Sequence, residues 1–394
     1  MKLNKLFLAA GVCAALAGGT GALVARNAEA PQGAARTPAH DDGNTAVRWN
    51  TVARELTAGQ GHGHGHGGIP ILGGRPLALL SVAQLAAIET LPRGASMRVA
   101  IAAASATVLA HDHAPRASEF EAKLDQEKSA ARSAGETGEA IAAGERTGRS
   151  VAEQLLAKRA TDGHTEPGPF TPLTGDGYWR SAHAADPIGT HWGKVRPWLL
   201  ESAEQFRPMA PPAVGSAEFQ AALAEVKATT ASLTPEQKQL AQKWMNPVDG
   251  YWNEVAADLI ARDELSDEVG ARVLTLMNVS IMDAAITCFE AKYHYQYPRP
   301  SHMDTTIAMA VMLPNHPSYV SGHSCVTGAA ASVLEHYFPS DAATIRATAE
   351  EIAQSRLYAG VHYRFDNETG LQVGRAVGER ALEVQPTAAQ LISR

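Results

Sequence analysis

Long uncharged runs and amphipathic runs succeed one another along most of this chain, and nowhere does the pattern take the every-second-residue form of a half-buried strand. From Pro76 to Lys158 the spacing predicts helices, with Ala-rich segments and charge confined to one side. Val99–Ala110 carries no charge and predicts a buried helix. Glu119–Ala160 reads as amphipathic helix, broken near Gly135–Gly138. Further helices are expected over Ala217–Leu233 and over Thr234–Met245, where Thr-Pro-Glu suits a first turn, and again over Trp252–Arg262. Ser266–Tyr293 is apolar nearly all round (Val273, Leu276, Val279, Ile281, Ile286), the pattern of a helix at the centre of a bundle. The fold class is therefore all-α, as two helical bundles or one fused bundle.

Three stretches break this pattern. Lys2 and Lys5 precede an uncharged run from Leu6 to Val24, and Ala28-Glu29-Ala30 supplies small residues, so residues 1–30 read as an export signal. Pro31 fits poorly after such a cut, which keeps cleavage after Ala25 or retention as an anchor open. Residues 31–75 read as a flexible, Gly- and His-rich segment. Its tract of His62, His64 and His66 has a Gly between each pair, which leaves no fixed ligand geometry for a metal. Asp162–Ser216, rich in Pro and Gly and holding Trp179, Trp192 and Trp198, is too long for a plain connection and predicts an ordered wrapping loop. It closes an N-terminal helical region of 76–215, and a catalytic helical domain follows over 216–394.

Composition narrows the functions. A net charge of -7 argues against general affinity for nucleic acid or anionic membranes, so any anion site has to be local. After the leader no stretch reads as a membrane span, and the mature chain is expected not to insert. Cys13 would leave with the leader. Cys288 and Cys325 remain, and export permits a disulfide without two cysteines demanding one.

The chemistry is concentrated in three clusters of the last third. Lys292 is followed six residues later by Arg299-Pro300. Pro317-Ser318-Tyr319-Val320-Ser321-Gly322-His323 leads into a helix from about Ser324 to Tyr337. Ser355-Arg356 is followed by His362 and, three residues on, by Asp366. Each alone has an ordinary reading as surface charge, helix cap or core histidine. Together they suit a tetrahedral oxyanion. Two arginines grip oxygens in bidentate fashion and a lysine adds a point charge. Ser321 and Gly322 sit at a helix N-terminus, where free N–H groups attract anions. His323 and His362 offer an acid/base and a nucleophile or ligand, and Asp366 is able to fix the His362 tautomer.

These clusters, in this order and spacing, resemble the signature of the superfamily that joins type 2 phosphatidic acid phosphatases and class A acid phosphatases to the vanadium haloperoxidases. Ala291-Lys292-Tyr293-His294-Tyr295, Ser355 through Phe365, His191-Trp192-Gly193 and Gln205-Phe206-Arg207-Pro208 are similar to its secreted bacterial haloperoxidase-like branch. The likeness covers roughly the C-terminal half to two-thirds and fits residues 31–130 poorly. It implies a helical fold with the oxyanion site in the bundle core. Lys292, Arg299 and Arg356 would bind the oxyanion, with Ser321 and Gly322 donating hydrogen bonds. In a haloperoxidase His362 would be the axial vanadium ligand and His323 the acid/base; in a phosphatase His362 would attack phosphorus and His323 would protonate the leaving oxygen. Vanadate serves both pictures because it readily becomes five-coordinate. Val320 stands where the family usually has Pro. His316, five residues before Ser321, is the position whose side chain tilts halide choice, and a His there favours bromide or iodide.

The leading expectation is thus a vanadate-dependent haloperoxidase-type enzyme acting on hydrogen peroxide and halide. The alternatives are an exported phosphomonoesterase, which takes a phosphomonoester and needs no cofactor, and a non-catalytic oxyanion- or metal-binding protein, to which the His tract points. A homo-oligomer is left open.

Overall fold

The computed structural model describes residues 43–59, 74–165, 170–181 and 186–394. The leader and the tract of His62, His64 and His66 lie outside the described residues. Fourteen α-helices are described, in order α1 (Thr45–Gly59), α2 (Gly74–Glu89), α3 (Met97–Asp112), α4 (Ala117–Ser133), α5 (Gly138–Arg159), α6 (Ala217–Ala231), α7 (Pro235–Lys243), α8 (Asp249–Arg262), α9 (Asp267–Tyr295), α10 (Pro300–Met303), α11 (Gly322–Tyr337), α12 (Ala342–Tyr358), α13 (Arg364–Val384) and α14 (Ala388–Ser393). Among the described residues there is no strand. Residues 42–394 form one compact unit, with no division near residue 215.

The all-round apolar run becomes α9, which begins at Ser266, whose hydroxyl caps Val269 N–H, and ends where Gln296 turns left-handed with φ 44°. It packs against α2, α11 and α13. By length and composition the run Asp267–Met303 is able to cross a membrane, but 89% of its apolar window is buried within the fold. That burial makes it the central bundle helix expected over Ser266–Tyr293, although no stretch after the leader was expected to be long and apolar enough to span. Its few polar residues bolt neighbours on: Asn278 donates to Ser81 Oγ of α2 at 3.0 Å, while Asn253 of α8 donates to Asn278 at 2.8 Å and accepts from Asn50 of α1 at 2.8 Å.

That last contact belongs to a helix the sequence reading missed. The irregular segment expected over 31–75 fails at Thr45–Gly59, where Ala46, Trp49, Ala53 and Leu56 are buried at helical spacing. The segment's polar and Gly-rich average hides this short stripe. α7 is also shorter than expected, because Trp244 already leaves helical geometry.

Two helix pairs approach closely because one partner offers glycines. On α13, Gly370 and Gly374 face the α11 backbone, and a Cβ on Gly374 would overlap Cys325 O. Gly144 and Gly148 of α5 face Ser96 and Ala100 in the same manner. The expected wrapping loop is ordered over its described residues, and α9 ties it down. Asp283 accepts backbone N–H bonds from Trp198 (2.7 Å), Leu199 (2.7 Å) and Leu200 (3.2 Å). The Arg159 guanidinium lies 3.4 Å above the Trp198 ring. Tyr295 and Tyr297 donate to the carbonyls of Pro208 and Pro212.

Candidate active site

Helix ends converge on one buried place. The C-terminal ends of α9 and α12 bring Lys292 and Arg356, the turn before α10 brings Arg299, and the loop before α13 brings His362. The N-termini of α11 and α13 bring Ser321, Gly322, His323 and Asp366, so two positive dipole ends point the same way. Ser321 N–H donates to Asp366 O at 3.0 Å and locks these two N-termini together.

The three cations are held by neutral acceptors. Lys292 Nζ donates to Pro317 O and Ser318 O, both at 2.8 Å. Arg299 donates to His316 O (3.1 Å), Val361 O (2.6 Å), His316 Nδ1 (3.0 Å) and His362 Nε2 (3.0 Å). Arg356 donates to Ala241 O at 2.9 Å and Ser355 Oγ at 3.0 Å. Among the described residues none of the three makes an ion pair, although Lys292 and Arg299 are 0% exposed and Arg356 is 3% exposed. Burial, joined by the Arg299 charge at the other two cations, pushes the Lys292 ammonium down to about 8 and each guanidinium down to about 10. Buried cations without carboxylate partners are costly unless an anion joins them. Ser321 Oγ, also buried, has no partner and is ready to donate.

A polar relay faces this cluster. Asp366 Oδ2 accepts from Ser318 Oγ at 2.5 Å and from Tyr363 N–H at 3.2 Å, and it lies 2.8 Å from His362 Nδ1. Burial raises the Asp366 carboxyl to about 6, against the pull of the Ser318 hydrogen bond, Lys292 and Arg299. Burial, followed by the charges of Arg299 and Lys292, takes His362 well below the usual imidazole range. His362 is therefore neutral, and the network assigns its proton to Nδ1, facing Asp366. Nε2 keeps its lone pair, as a nucleophile or metal ligand requires.

The sequence-predicted residues thus come together, with three differences. Arg299 was expected to grip an anion in bidentate fashion, but its guanidinium already spans His316, Val361 and His362. The Ser321 backbone N–H is spent on Asp366, which leaves the hydroxyl as its donor. His323 is half-buried, and its Nε2 donates to Asn246 O at 3.1 Å, in the turn between α7 and α8. Burial and then the Arg356 charge hold His323 down at about 3, so it too is neutral. His316 packs against Phe289, with ring centroids 5.4 Å apart, and accepts from Arg299. Ser318, inside the second cluster, has no signal of its bond to Asp366 in the sequence. The carbonyls of Ala241 and Asn246 had no sequence signal at all.

The donor set of cations, a serine hydroxyl and one imidazole nitrogen fits a tetrahedral oxyanion such as vanadate or phosphate. A buried surplus of positive charge beside a neutral histidine is complementary to such a group. Residues 273–388 match the PAP2 superfamily. The fold is similar to that of the first bacterial vanadium-dependent iodoperoxidase, with TM-score 0.72 and 22% identity over 88% of this chain and 97% of that one. It is also similar to a bacterial vanadium-dependent chloroperoxidase. The apo form gives TM-score 0.66 and 14% identity over 82% of this chain and 94% of that one. The holo form gives the same score and identity over 91% and 100%. No curated protein sequence matches the chain. The matched stretch, residues 273–388, holds every candidate site residue from Lys292 to Asp366.

Proposed function

We propose that the protein is a vanadate-dependent haloperoxidase that oxidises iodide or bromide with hydrogen peroxide. The observation that carries this reading over a phosphatase is architectural. The likeness to the iodoperoxidase takes in 88% of the chain, far beyond the 273–388 segment that matches the PAP2 superfamily. Lys292, Arg299, Arg356 and the Ser321 hydroxyl would hold the oxyanion, and His362 Nε2 would be the metal ligand. Bound vanadate would supply the Lewis-acidic centre at which hydrogen peroxide becomes reactive toward halide. Arg299 would first release His362 Nε2. Asp366 keeps the His362 proton on Nδ1. An arriving anion offsets the charges of Arg356 and Lys292 and so raises His323 from about 3 toward the range in which it takes and returns a proton. His316, bonded to Arg299 at the wall, favours the larger halides. Residues 1–30 would direct export, checked by N-terminal sequencing of protein recovered from outside the cytoplasm.

Halide oxidation and phosphomonoester hydrolysis are measured on one sample, with and without vanadate. Iodide or bromide oxidation should require vanadate and be inhibited by phosphate. His362→Ala should lose vanadate affinity, whereas His323→Ala should keep it and lose turnover. Phosphate trapped on His362 from a phosphomonoester, without vanadate-dependent halide oxidation, would establish the phosphatase reading instead.

A further inference from the structure

Two thiols lie beneath the anion cluster, and the proposed chemistry uses neither. Cys288 is one turn before Lys292 on α9, and Cys325 is one turn after Ser321 on α11, its N–H donating to Ser321 O at 3.0 Å. Both are free and both are 0% exposed. The side chains meet across the α9–α11 contact as hydrogen-bonding partners, and Cys288 Sγ also lies 3.6 Å from Val320 O. Burial pushes the Cys288 thiol up. The hydrogen bond from Cys325 and the charges of Lys292 and Arg299 outweigh it and bring Cys288 below its ordinary value. Burial and the same hydrogen bond push Cys325 well above its own. The pair therefore has one sulfur whose ionisation its neighbours ease and a thiol beside it, the arrangement in which one sulfur attacks peroxide and the other resolves.

We propose that Cys288 and Cys325 are a redox pair, which hydrogen peroxide converts into a disulfide joining α9 to α11 beneath the anion cluster. The Cys288 thiolate attacks one peroxide oxygen, the O–O bond breaks, and hydroxide leaves and takes a proton to become water. The resulting sulfenic acid is attacked by Cys325, which forms the S–S bond and releases a second water. Two thiols lose two electrons and one peroxide gains them. Gly374 holds the α11 backbone against α13 at Cys325. Complete burial restricts the oxidant to a small uncharged molecule, and bulkier thiol reagents stay out. The inference rests on the proposed function only for the source of peroxide.

The test uses the full chain with neither vanadate nor halide present. Folded protein is treated with hydrogen peroxide, unfolded, alkylated, digested and mapped by mass. The expected product is a peptide pair joining Cys288 to Cys325, two hydrogens lighter than the reduced pair and separated by dithiothreitol. Iodoacetamide should leave both cysteines of the folded protein unmodified. Cys288→Ser should slow peroxide consumption of Cys325 about tenfold or more, and Cys325→Ser should leave a dimedone-reactive sulfenic acid on Cys288. Both cysteines remaining alkylatable after peroxide, separate oxygen adducts without a cross-link, or linkage to Cys13 instead would overturn the proposal. Halide oxidation is assayed on the same preparation. Activity without the cross-link sinks this inference alone, and the cross-link without activity sinks only the haloperoxidase reading.

Discussion

At Lys292 burial and the neighbouring Arg299 disfavour the charged ammonium, which holds it at about 8, below the 10.5 of an exposed lysine. An anion selects the protonated form. Affinity should be full below about pH 8 and fall above it, by up to tenfold per pH unit as one proton is taken up on binding. Sulfate, whose charge is constant across this range, separates the protein's titration from the ligand's. Calorimetry with sulfate should show the decline in the unaltered protein and a flat profile in Lys292→Arg, whose charge persists. A flat profile in both would mean that Lys292 does not face the anion. Arg356 is the cleaner of the two arginines to remove, because Arg299 also supports His316, Val361 and His362. Arg356→Ala should weaken vanadate or phosphate binding roughly ten- to hundredfold, the cost of about one or two charge-assisted hydrogen bonds. Equal affinity in calorimetry would remove Arg356 from the site. At this scale the sequence was informative about identity and poor on engagement. The three clusters carried Lys292, Arg299, Ser321, His323, Arg356, His362 and Asp366. That Arg299 is spent on two histidines and two carbonyls depends on partners 17 to 63 residues away, which no local spacing encodes.

α13 shows what a whole helix adds to its site residue. Asp366 caps its first turn, and one face of the helix carries Gly370, Gly374 and Gly378, each lying against α11 backbone or Ser side chains. In isolation Gly374→Ala should favour helix by about 1 kcal/mol. Here the new methyl meets Cys325 O, backbone that moves only with α11, so we expect a net loss of about 1–3 kcal/mol. Denaturant unfolding reads the sign directly, and greater stability in Gly374→Ala would refute the close approach. Because α11 presents Ser321 and α13 presents Asp366, anion affinity should fall in the same variant. Helices with a strong apolar pattern were legible in sequence. α9 and α3 lie within a few residues of their expected bounds because apolarity on every side has one structural meaning. α1 was not legible, since four buried apolar residues in a polar, Gly-rich stretch are outweighed in any average taken over the segment.

For the whole molecule, the surplus of buried positive charge is a cost that the unliganded fold carries and that an anion relieves. Lys292 comes from α9, Arg299 from the turn before α10, and Arg356 from α12, while His362 and Asp366 flank the start of α13. The repulsion is therefore spread over the elements that make the core, within the single unit of residues 42–394. Anything that binds the folded chain but not the unfolded one stabilises it in proportion to the logarithm of its concentration over Kd. At a hundredfold excess over Kd this amounts to about 2.7 kcal/mol. Phosphate or vanadate at that excess should raise the melting temperature by a few degrees in a domain of this size. The unfolding should remain one transition, because the affected helices share one core. Arg356→Ala carries one buried cation fewer. It should start from a smaller repulsive cost and gain less from the anion, so the two melting curves should draw together as phosphate is withdrawn. Replacing His62, His64 and His66 should leave the anion-induced shift unchanged. A shift of equal size in Arg356→Ala and the unaltered protein would mean that phosphate stabilises the chain elsewhere, and the assignment of the buried cations to a common anion would fail.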